Sequence, residues 1–189
     1  AGSLLISKKL LNDVLFLVEK PYVGIGHFDQ RFLRLPREVL IFCIEKNQHY
    51  FPVEDAATKK LLPEFRAVLN VPLQDSPLVI AGYEKVLLAR LQDAMFFYEN
   101  DLRTKLSDRV PELGKITFQK ELGSLLDKTK RIERLAGMLA EKLPDTAAAD
   151  AARAALLCKT DLTTSLVFEY TDLQGTAGKY YALESGENE

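Results

Sequence analysis

Two neighbouring segments in the second half of the chain place charged residues where a packed helix pair needs apolar ones. Residues 118–143 read FQKELGSLLDKTKRIERLAGMLAEKL, and residues 151–168 read AARAALLCKTDLTTSLVF. Their apolar residues recur at steps of three and four, which predicts two amphipathic helices that pack together. Because a buried charge is costly unless it is paired, the charged residues of this pair restrict the folds that the chain can adopt.

The first predicted helix has one apolar stripe and three charged residues at different distances from it. At 3.6 residues per turn, Lys128 falls on the border of the stripe and Arg131 lies further round. Asp127 lies nearly opposite the stripe, so we expect it to be exposed and able to pair with Arg131 four residues later. The stripe itself consists of Phe118, Leu122, Leu125, Thr129, Ile132, Ala136, Leu139 and Leu143.

Asp161 is the residue that we expect to be both buried and charged. It falls between Leu157 and Leu162 inside a helix that is apolar on almost all sides. Its carboxylate then needs a cation or backbone N–H donors, and Lys128 on the neighbouring helix is the first choice, with Arg131 second. Two interpretations of Asp161 are possible from these residues: a structural ion pair that fixes the register of the helices, or a metal or phosphate site.

The rest of the chain predicts an α+β fold that is predominantly helical. A helix over residues 4–18 is followed by a strand at 22–28, a helix at 36–47 and strands at 49–54 and 61–70. Helices at 78–106, 115–143 and 146–168 come after them. We therefore predict a partial mixed α/β region over residues 1–75, which is the end of a larger domain, and a helical domain over residues 76–189.

Net charge, cysteine positions and the length of apolar runs limit the partners and the location that we expect for this protein. With a net charge of −2, the protein as a whole is not basic, so its composition does not indicate nucleic-acid binding. A local basic face is still compatible with this net charge. Cys43 and Cys158 each lie in an apolar stretch without a second metal ligand nearby, so we expect two reduced, buried thiols in a cytoplasmic protein. No apolar run reaches about 18 residues, so no membrane span is expected.

Several stretches of the chain, in the same order, resemble the β-subunit of the bacterial-type, heterotetrameric glycyl-tRNA synthetase. The resemblance is carried by LGSLLDKTKRIERLA and AALLCKTDLTTSLVFEYTDLQGTAGKYYA, and by three earlier stretches: LPREVLIFCIEKNQHYFPV at 35–53, LLPEFRAVLN at 61–70 and GYEKVLLARLQDAMFFYEND at 82–101. It covers nearly the whole chain after about residue 10. Because subunits of this family are several times longer, the chain is expected to be an internal fragment.

The resemblance implies an accessory role in charging tRNA with glycine. It implies a tRNA-Gly partner, a synthetase α-subunit that holds the glycine- and ATP-binding centre with its Mg²⁺, and no cofactor in this fragment. It also implies that residues 76–189 form an HD-like helical domain. DNA and membranes are not expected partners, and no catalytic residue is expected here. The candidate tRNA contacts are the basic residues Lys85, Arg90, Lys130 and Arg131.

The HD resemblance has a clear departure, because HD hydrolases hold a metal through a His, a His-Asp pair and a further Asp. Thr160-Asp161 stands at the position of the pair, and Asp127-Lys128 stands near the first ligand. Both positions lack histidine, and a cation at Lys128 would oppose metal binding. We therefore expect no metal site. An independent HD-type metal phosphohydrolase and a structural scaffold without RNA contact remain the alternatives.

Overall fold

The computed structural model describes residues 2–46, 48–70, 72, 76–143 and 147–188. It is predominantly helical with a small antiparallel sheet, which confirms the predicted α+β class. The chain divides into two compact units, residues 1–96 and 97–189. The domain boundary predicted after residue 75 adjoins residues 73–75, which are outside the described residues. The two compact units divide between residues 96 and 97, which is 21 residues later and inside the helix Ser76–Asp101.

The first unit is a four-stranded sheet with helices on both faces. Its strands follow the order β1-β3-β4-β2, and every pair of neighbours is antiparallel. The predicted helix over 4–18 is shorter than expected, because Ser7 caps it by accepting a hydrogen bond from the backbone N–H of Leu10, at 3.1 Å. The elements are β1 (Gly2–Leu4), α1 (Lys8–Leu15), β2 (Tyr22–His27), α2 (Arg37–Glu45), β3 (Phe51–Asp55), β4 (Leu61–Leu69) and α3 (Ser76–Asp101).

The core of the first unit lies on the sheet face that α2 and α3 cover. The ring of Tyr50 stacks on Phe65 of β4, with centroids 4.6 Å apart, and on Tyr83 of α3, with centroids 5.1 Å apart. Burial raises the pKa of the Tyr50 hydroxyl above its usual range. Phe65 is completely buried, and it pairs with Gly26 of β2 across the sheet.

Gly26 gives Phe65 the space that its ring occupies, so Gly26→Ala should destabilise the protein. A Cβ added at Gly26 would lie 2.2 Å from Cζ of Phe65, and the buried ring cannot move aside without disturbing the core. Overpacking of this kind costs about 1–3 kcal/mol of unfolding free energy, measured by urea denaturation. The control is Gly82→Ala on α3, where the added Cβ meets nothing within 4 Å. A loss no larger at Gly26 than at Gly82 would contradict this prediction.

The second unit begins differently from the prediction of one helix over 115–143. A 3₁₀ segment (Leu106–Lys115) leads into a hairpin of β5 (Thr117–Gln119) and β6 (Gly123–Ser124), and only then does α4 (Leu125–Ala140) begin. Gly123 has a φ of +83°, a backbone conformation that side-chain-bearing residues rarely adopt. Phe118 and Leu122 therefore lie on the hairpin rather than on the predicted stripe.

The predicted continuous helix over 146–168 is also wrong. The structure has α5 (Ala148–Leu157), a 3₁₀ turn (Thr160–Thr163) and α6 (Ser165–Glu169). Thr163 and Thr164 donate their hydroxyls to the carbonyls of Thr160 and Asp161, at 2.7 and 2.6 Å. Threonine side chains that bond to the local backbone compete with a regular helix, which accounts for the break.

A second 3₁₀ turn (Thr171–Leu173) and the helix α7 (Thr176–Glu184) complete the second unit. Cys43 is buried as predicted, whereas Cys158, at the end of α5, is exposed. Burial raises the pKa of the Cys43 thiol to about 12. Within the described ranges, no helix combines the length and apolar character that crossing a membrane requires.

Candidate nucleic-acid interface

The hairpin and the start of α4 are held together by a capping box. Ser124 accepts a hydrogen bond from the backbone N–H of Asp127, and the Asp127 carboxylate accepts from the Ser124 backbone N–H at 2.8 Å and from its hydroxyl at 2.7 Å. The hydroxyl, followed by the backbone N–H, lowers the pKa of Asp127. Asp127 is exposed as predicted, but its carboxylate serves the helix N-terminus.

Two basic side chains of α4 reach back to the hairpin. Lys128 places its ammonium 3.9 Å from the centroid of the Phe118 ring, which is a cation–π contact. Arg131 donates from Nη1 to the carbonyl of Leu122 at 3.2 Å. The positions of both basic groups are thus defined by the protein, while the hairpin residues 117–123 remain exposed.

This hairpin–α4 surface is positively charged within a chain that is slightly acidic overall. Residues 115–134 carry six basic and three acidic side chains, against a net charge of −2 for the whole protein. One of the three acids, Asp127, is committed to Ser124. We define the hairpin–α4 surface by Phe118, Lys120, Lys128, Lys130 and Arg131. An aromatic ring beside two cations that the protein holds in place and two further exposed lysines suits a phosphate backbone with unpaired bases.

The four predicted tRNA contacts do not all fall on this surface. Lys130 and Arg131 lie on it and are exposed. Lys85 and Arg90 lie on the part of α3 that belongs to the first unit, where Lys85 is exposed and Arg90 is half-buried. The charge of Arg90 lowers the pKa of the Cys43 thiol, against the larger effect of burial.

Asp161 is buried as predicted, with 1% of its surface exposed, but its partners are backbone groups. Its Oδ2 accepts hydrogen bonds from the N–H groups of Gly175, at 2.5 Å, and Gly178, at 3.2 Å. Its Oδ1 has no partner among the described residues. Burial raises the pKa of this carboxyl, and the two N–H groups act in the opposite direction.

The predicted ion pair between Asp161 and Lys128 is not formed. Lys128 lies on the border of its helix face, where its stem reaches the Phe118 ring and its charged end stays near water. Moving the ammonium to a fully buried carboxylate would remove its hydration as well. Arg131, the second predicted partner, is bonded to Leu122 instead.

A second buried carboxylate, Asp101 at the end of α3, organises the second unit. It accepts hydrogen bonds from the N–H groups of Ser165 and Leu166 at the start of α6, at 3.0 and 2.9 Å. Tyr181 donates its hydroxyl at 3.1 Å, and the Arg109 guanidinium lies 3.5 Å away. These partners are 8 to 80 residues further along the chain, so no local pattern marks Asp101 in the sequence.

Comparison with known proteins identifies the family. A sequence model of the family described as "Glycyl-tRNA synthetase beta subunit" matches residues 1–189, the whole chain. The chain belongs to the glycyl-tRNA synthetase β-subunit family.

Curated members of the β-subunit family are close in sequence and much longer. The glycine–tRNA ligase β-subunit of Haemophilus influenzae (strain PittGG) is 47% identical over 184 residues, and that of Edwardsiella ictaluri (strain 93-146) is 46% identical over 187 residues. That of Actinobacillus pleuropneumoniae serotype 7 (strain AP76) is 46% identical over 185 residues. Each alignment covers 97% of this chain but only 26% of the relative, so the chain spans about a quarter of their length.

The region around Asp161 does not fit a metal ion. Within the described ranges, no three His, Cys, Asp or Glu side chains are grouped as metal ligands. The atoms that face Asp161 Oδ2 are N–H donors, whose positive ends would repel a cation. Asp161 thus holds the backbone N–H groups of two glycines.

A cavity of about 450 Å³ lies beside the same two glycines in the second unit. Its walls are largely apolar, and Arg153 and Glu187 form a two-point ion pair at its edge, with N–O distances of 2.9 and 2.6 Å. The Arg153 guanidinium holds the pKa of Glu187 below its usual range. The apolar residues of the lining include Leu106, Ala154, Leu157 and Ala182.

Proposed function

We propose that this segment is an accessory tRNA-binding and assembly region of a glycine–tRNA ligase, an aminoacyl-tRNA synthetase. Its partners are tRNA-Gly, bound on the acceptor side, and the synthetase α-subunit, which carries out the glycine and ATP chemistry with Mg²⁺. The segment itself contributes no catalytic residue and no cofactor. The observation that carries the proposal is the positively charged hairpin–α4 surface on a chain of the β-subunit family.

The geometry of this surface supports RNA binding over a purely structural role. A structural hairpin needs only the capping box and the Arg131–Leu122 bond, whereas Lys130 is exposed and projects from the same stretch of α4. Lysine and arginine contacts to phosphates provide affinity without reading sequence. Discrimination among tRNAs is therefore assigned to other parts of the enzyme, and the hairpin–α4 surface contributes salt-sensitive affinity.

Charge reversal at Lys130 and Arg131 should weaken tRNA-Gly binding by the complete α/β enzyme. If each side chain contacts a phosphate, the double variant Lys130→Glu/Arg131→Glu should raise Kd about tenfold or more at 0.1 M salt, and the salt dependence should become less steep. Fluorescence anisotropy with labelled tRNA-Gly over a range of salt concentrations measures both quantities. The matched control is Lys8→Glu/Lys9→Glu, an adjacent exposed basic pair on α1.

Two further variants separate RNA contact from folding of the hairpin. Arg131→Gln keeps a donor for the Leu122 carbonyl but removes the charge, so it should retain the fold and still weaken binding. Lys85→Glu tests the candidate contact in the first unit by itself. If Lys130→Glu/Arg131→Glu and Lys85→Glu both leave Kd and its salt dependence equal to those of the wild type, the segment acts as a scaffold without RNA contact.

A further inference from the structure

A cavity of about 420 Å³ lies in the first unit, between the start of α2 and the loop that joins β3 to β4. Among the described residues that line it, three are basic and none is acidic. Arg37 belongs to the first turn of α2, and Lys59 and Lys60 belong to the loop. The cavity has the size of a small-molecule site. Its apolar walls are Leu33, Leu35, Leu40 and Leu61.

The buried carboxylate of Glu54 on β3 holds two of these cations in place. Its Oε2 accepts a hydrogen bond from Nη2 of Arg37 at 2.7 Å, and the ammonium of Lys59 lies 3.2 Å from its Oε1. Arg37 also donates from Nη1 to the backbone carbonyl of Lys59 at 2.8 Å. The Arg37 guanidinium, with a smaller contribution from Lys59, holds the pKa of Glu54 below its usual range. Three cations therefore share one carboxylate, and the positions of two are fixed by the protein.

The loop that carries the two lysines is closed by its own hydrogen bonds. The Asp55 carboxylate accepts from the N–H groups of Ala57 and Thr58 and from the Thr58 hydroxyl, and the Asp55 N–H donates to the carbonyl of Lys60 at 2.8 Å. Lys59 has a φ of +59°, a conformation that side-chain-bearing residues rarely adopt and that costs free energy. A lysine at a position that suits glycine indicates that its side chain serves the cavity.

The third cation, Lys60, is exposed, and its ammonium forms no ion pair with a described residue. The start of α2 adds positive charge at the same place. Leu35 and Arg37, on either side of Pro36, both line the cavity, and no side chain caps the helix there. The partial positive charge of a helix N-terminus reinforces the field of the three cations. A positive cavity with leucine walls fits a ligand that joins an anionic group to a flat, weakly polar body.

We propose that this cavity binds a 5′-nucleotide, with its phosphate group at Arg37, Lys59 and Lys60 and its nucleoside against the leucine walls. A phosphate dianion offers three acceptor oxygens and two charges, which match three cations better than one carboxylate would. A free nucleotide and the 5′ end of an RNA chain present the same group, and the experiment below separates the two. The site lies in the first unit and shares no residue with the hairpin–α4 surface, so each proposal can fail alone.

Titration of the 189-residue chain with 5′-AMP, followed by NMR of the backbone amides, tests the proposal directly. The amide signals of Arg37, Lys59 and Lys60 should shift and saturate, and adenosine at the same concentrations should leave them nearly unchanged. A single-stranded RNA oligomer with a 5′-phosphate is the second probe. Tighter binding than AMP at the same amides assigns the site to an RNA end, and equal or weaker binding assigns it to the free nucleotide. No saturable shift with either probe, or equal shifts with adenosine and AMP, would overturn the proposal.

Two substitutions separate ligand binding from a purely structural role of the cations. Lys60→Gln should raise the Kd for AMP about fivefold or more at 0.1 M salt and leave Tm unchanged, because the exposed ammonium has no partner in the described fold. Lys59→Gly should also weaken binding, with little change in Tm, because glycine relieves the positive φ as the ion pair is lost. The matched control is Lys9→Gln, at an exposed lysine of α1. A Kd for Lys60→Gln equal to that of the control would show that the cavity does not bind phosphate.

Discussion

Replacing Asp101 with alanine is expected to lower the free energy of unfolding by about 3–5 kcal/mol, the largest effect of any substitution considered for this protein. The change leaves the N–H groups of Ser165 and Leu166 and the hydroxyl of Tyr181 without their acceptor. It also leaves Arg109, which is mostly buried, without its carboxylate. Urea denaturation followed by far-UV circular dichroism measures the loss.

Two milder variants show whether this loss comes from the network. Tyr181→Phe removes one hydrogen bond and should cost about 1 kcal/mol. Asp101→Asn keeps one carbonyl acceptor in nearly the same shape, so its cost should fall between those of Tyr181→Phe and Asp101→Ala. If Asp101→Ala costs no more than Tyr181→Phe, Asp101 does not organise the start of α6 as the hydrogen bonds indicate.

Elements whose signal is local follow directly from the sequence. The alternation over 22–28 predicts β2, and the polar residues 55–60 predict the loop that joins β3 to β4 in an antiparallel pair. There, Asp55 accepts hydrogen bonds from the N–H groups of Ala57 and Thr58, at 3.1 and 2.8 Å. The helical spacing after Pro77 predicts α3, which ends at Asp101, five residues before the predicted end. In the loop, neighbouring residues supply the hydrogen bonds, whereas β2 is recognisable from its local alternation although its partner strand is distant.

The start of α4 also has a local signal, although helical periodicity hides it. Ser124-Leu125-Leu126-Asp127 is a capping-box sequence, and Gly123 before it supplies a conformation that ends regular structure. The apolar spacing of Phe118 and Leu122 continues the stripe of α4 backwards and suggests a longer helix. The capping box determines where α4 begins. It provides acceptors for the first N–H groups of the helix, which in a longer helix would bond to carbonyls of the preceding turn.

The partners of the buried carboxylates of Asp161 and Asp101 have no local signal. The sequence correctly predicts burial of Asp161, since its position on an apolar segment is a local property. Its donors come from Gly175 and Gly178, 14 and 17 residues later, and Oδ2 approaches within 3.0 Å of the place where a Cβ of Gly178 would lie. Such an approach depends on how α7 packs in the second unit, which periodicity does not report.

The same packing changes the role that is expected of Asp161 and Lys128. A carboxylate that two N–H groups hold in place is an anchor between the 3₁₀ turn at 160–163 and the start of α7. Lys128, which sequence reasoning assigned to that carboxylate, is instead part of the exposed hairpin–α4 surface. The anchor at Asp161 and the proposed RNA contacts thus involve different residues, so Asp161 can be replaced without changing a side chain of the hairpin–α4 surface.

Asp161→Ala is expected to cost about 2–4 kcal/mol at pH 7, because it leaves the N–H groups of Gly175 and Gly178 unpaired in a buried site. Asp161→Asn keeps an acceptor and should cost much less, which makes it the matched control.

The stability of the wild type should also depend on the protonation state of Asp161. Burial raises the pKa of Asp161 in the folded state above the unfolded value, so the folded protein binds this proton more tightly. Stability of the wild type relative to Asp161→Asn should therefore rise as the pH falls through the folded pKa toward the unfolded one, and reach its lowest level above the folded pKa. Urea denaturation of both proteins from pH 8 down to about pH 4 measures the difference, in which other titrating groups cancel. A difference that stays constant with pH, or that falls as the solution is acidified, would contradict the burial of a charged Asp161.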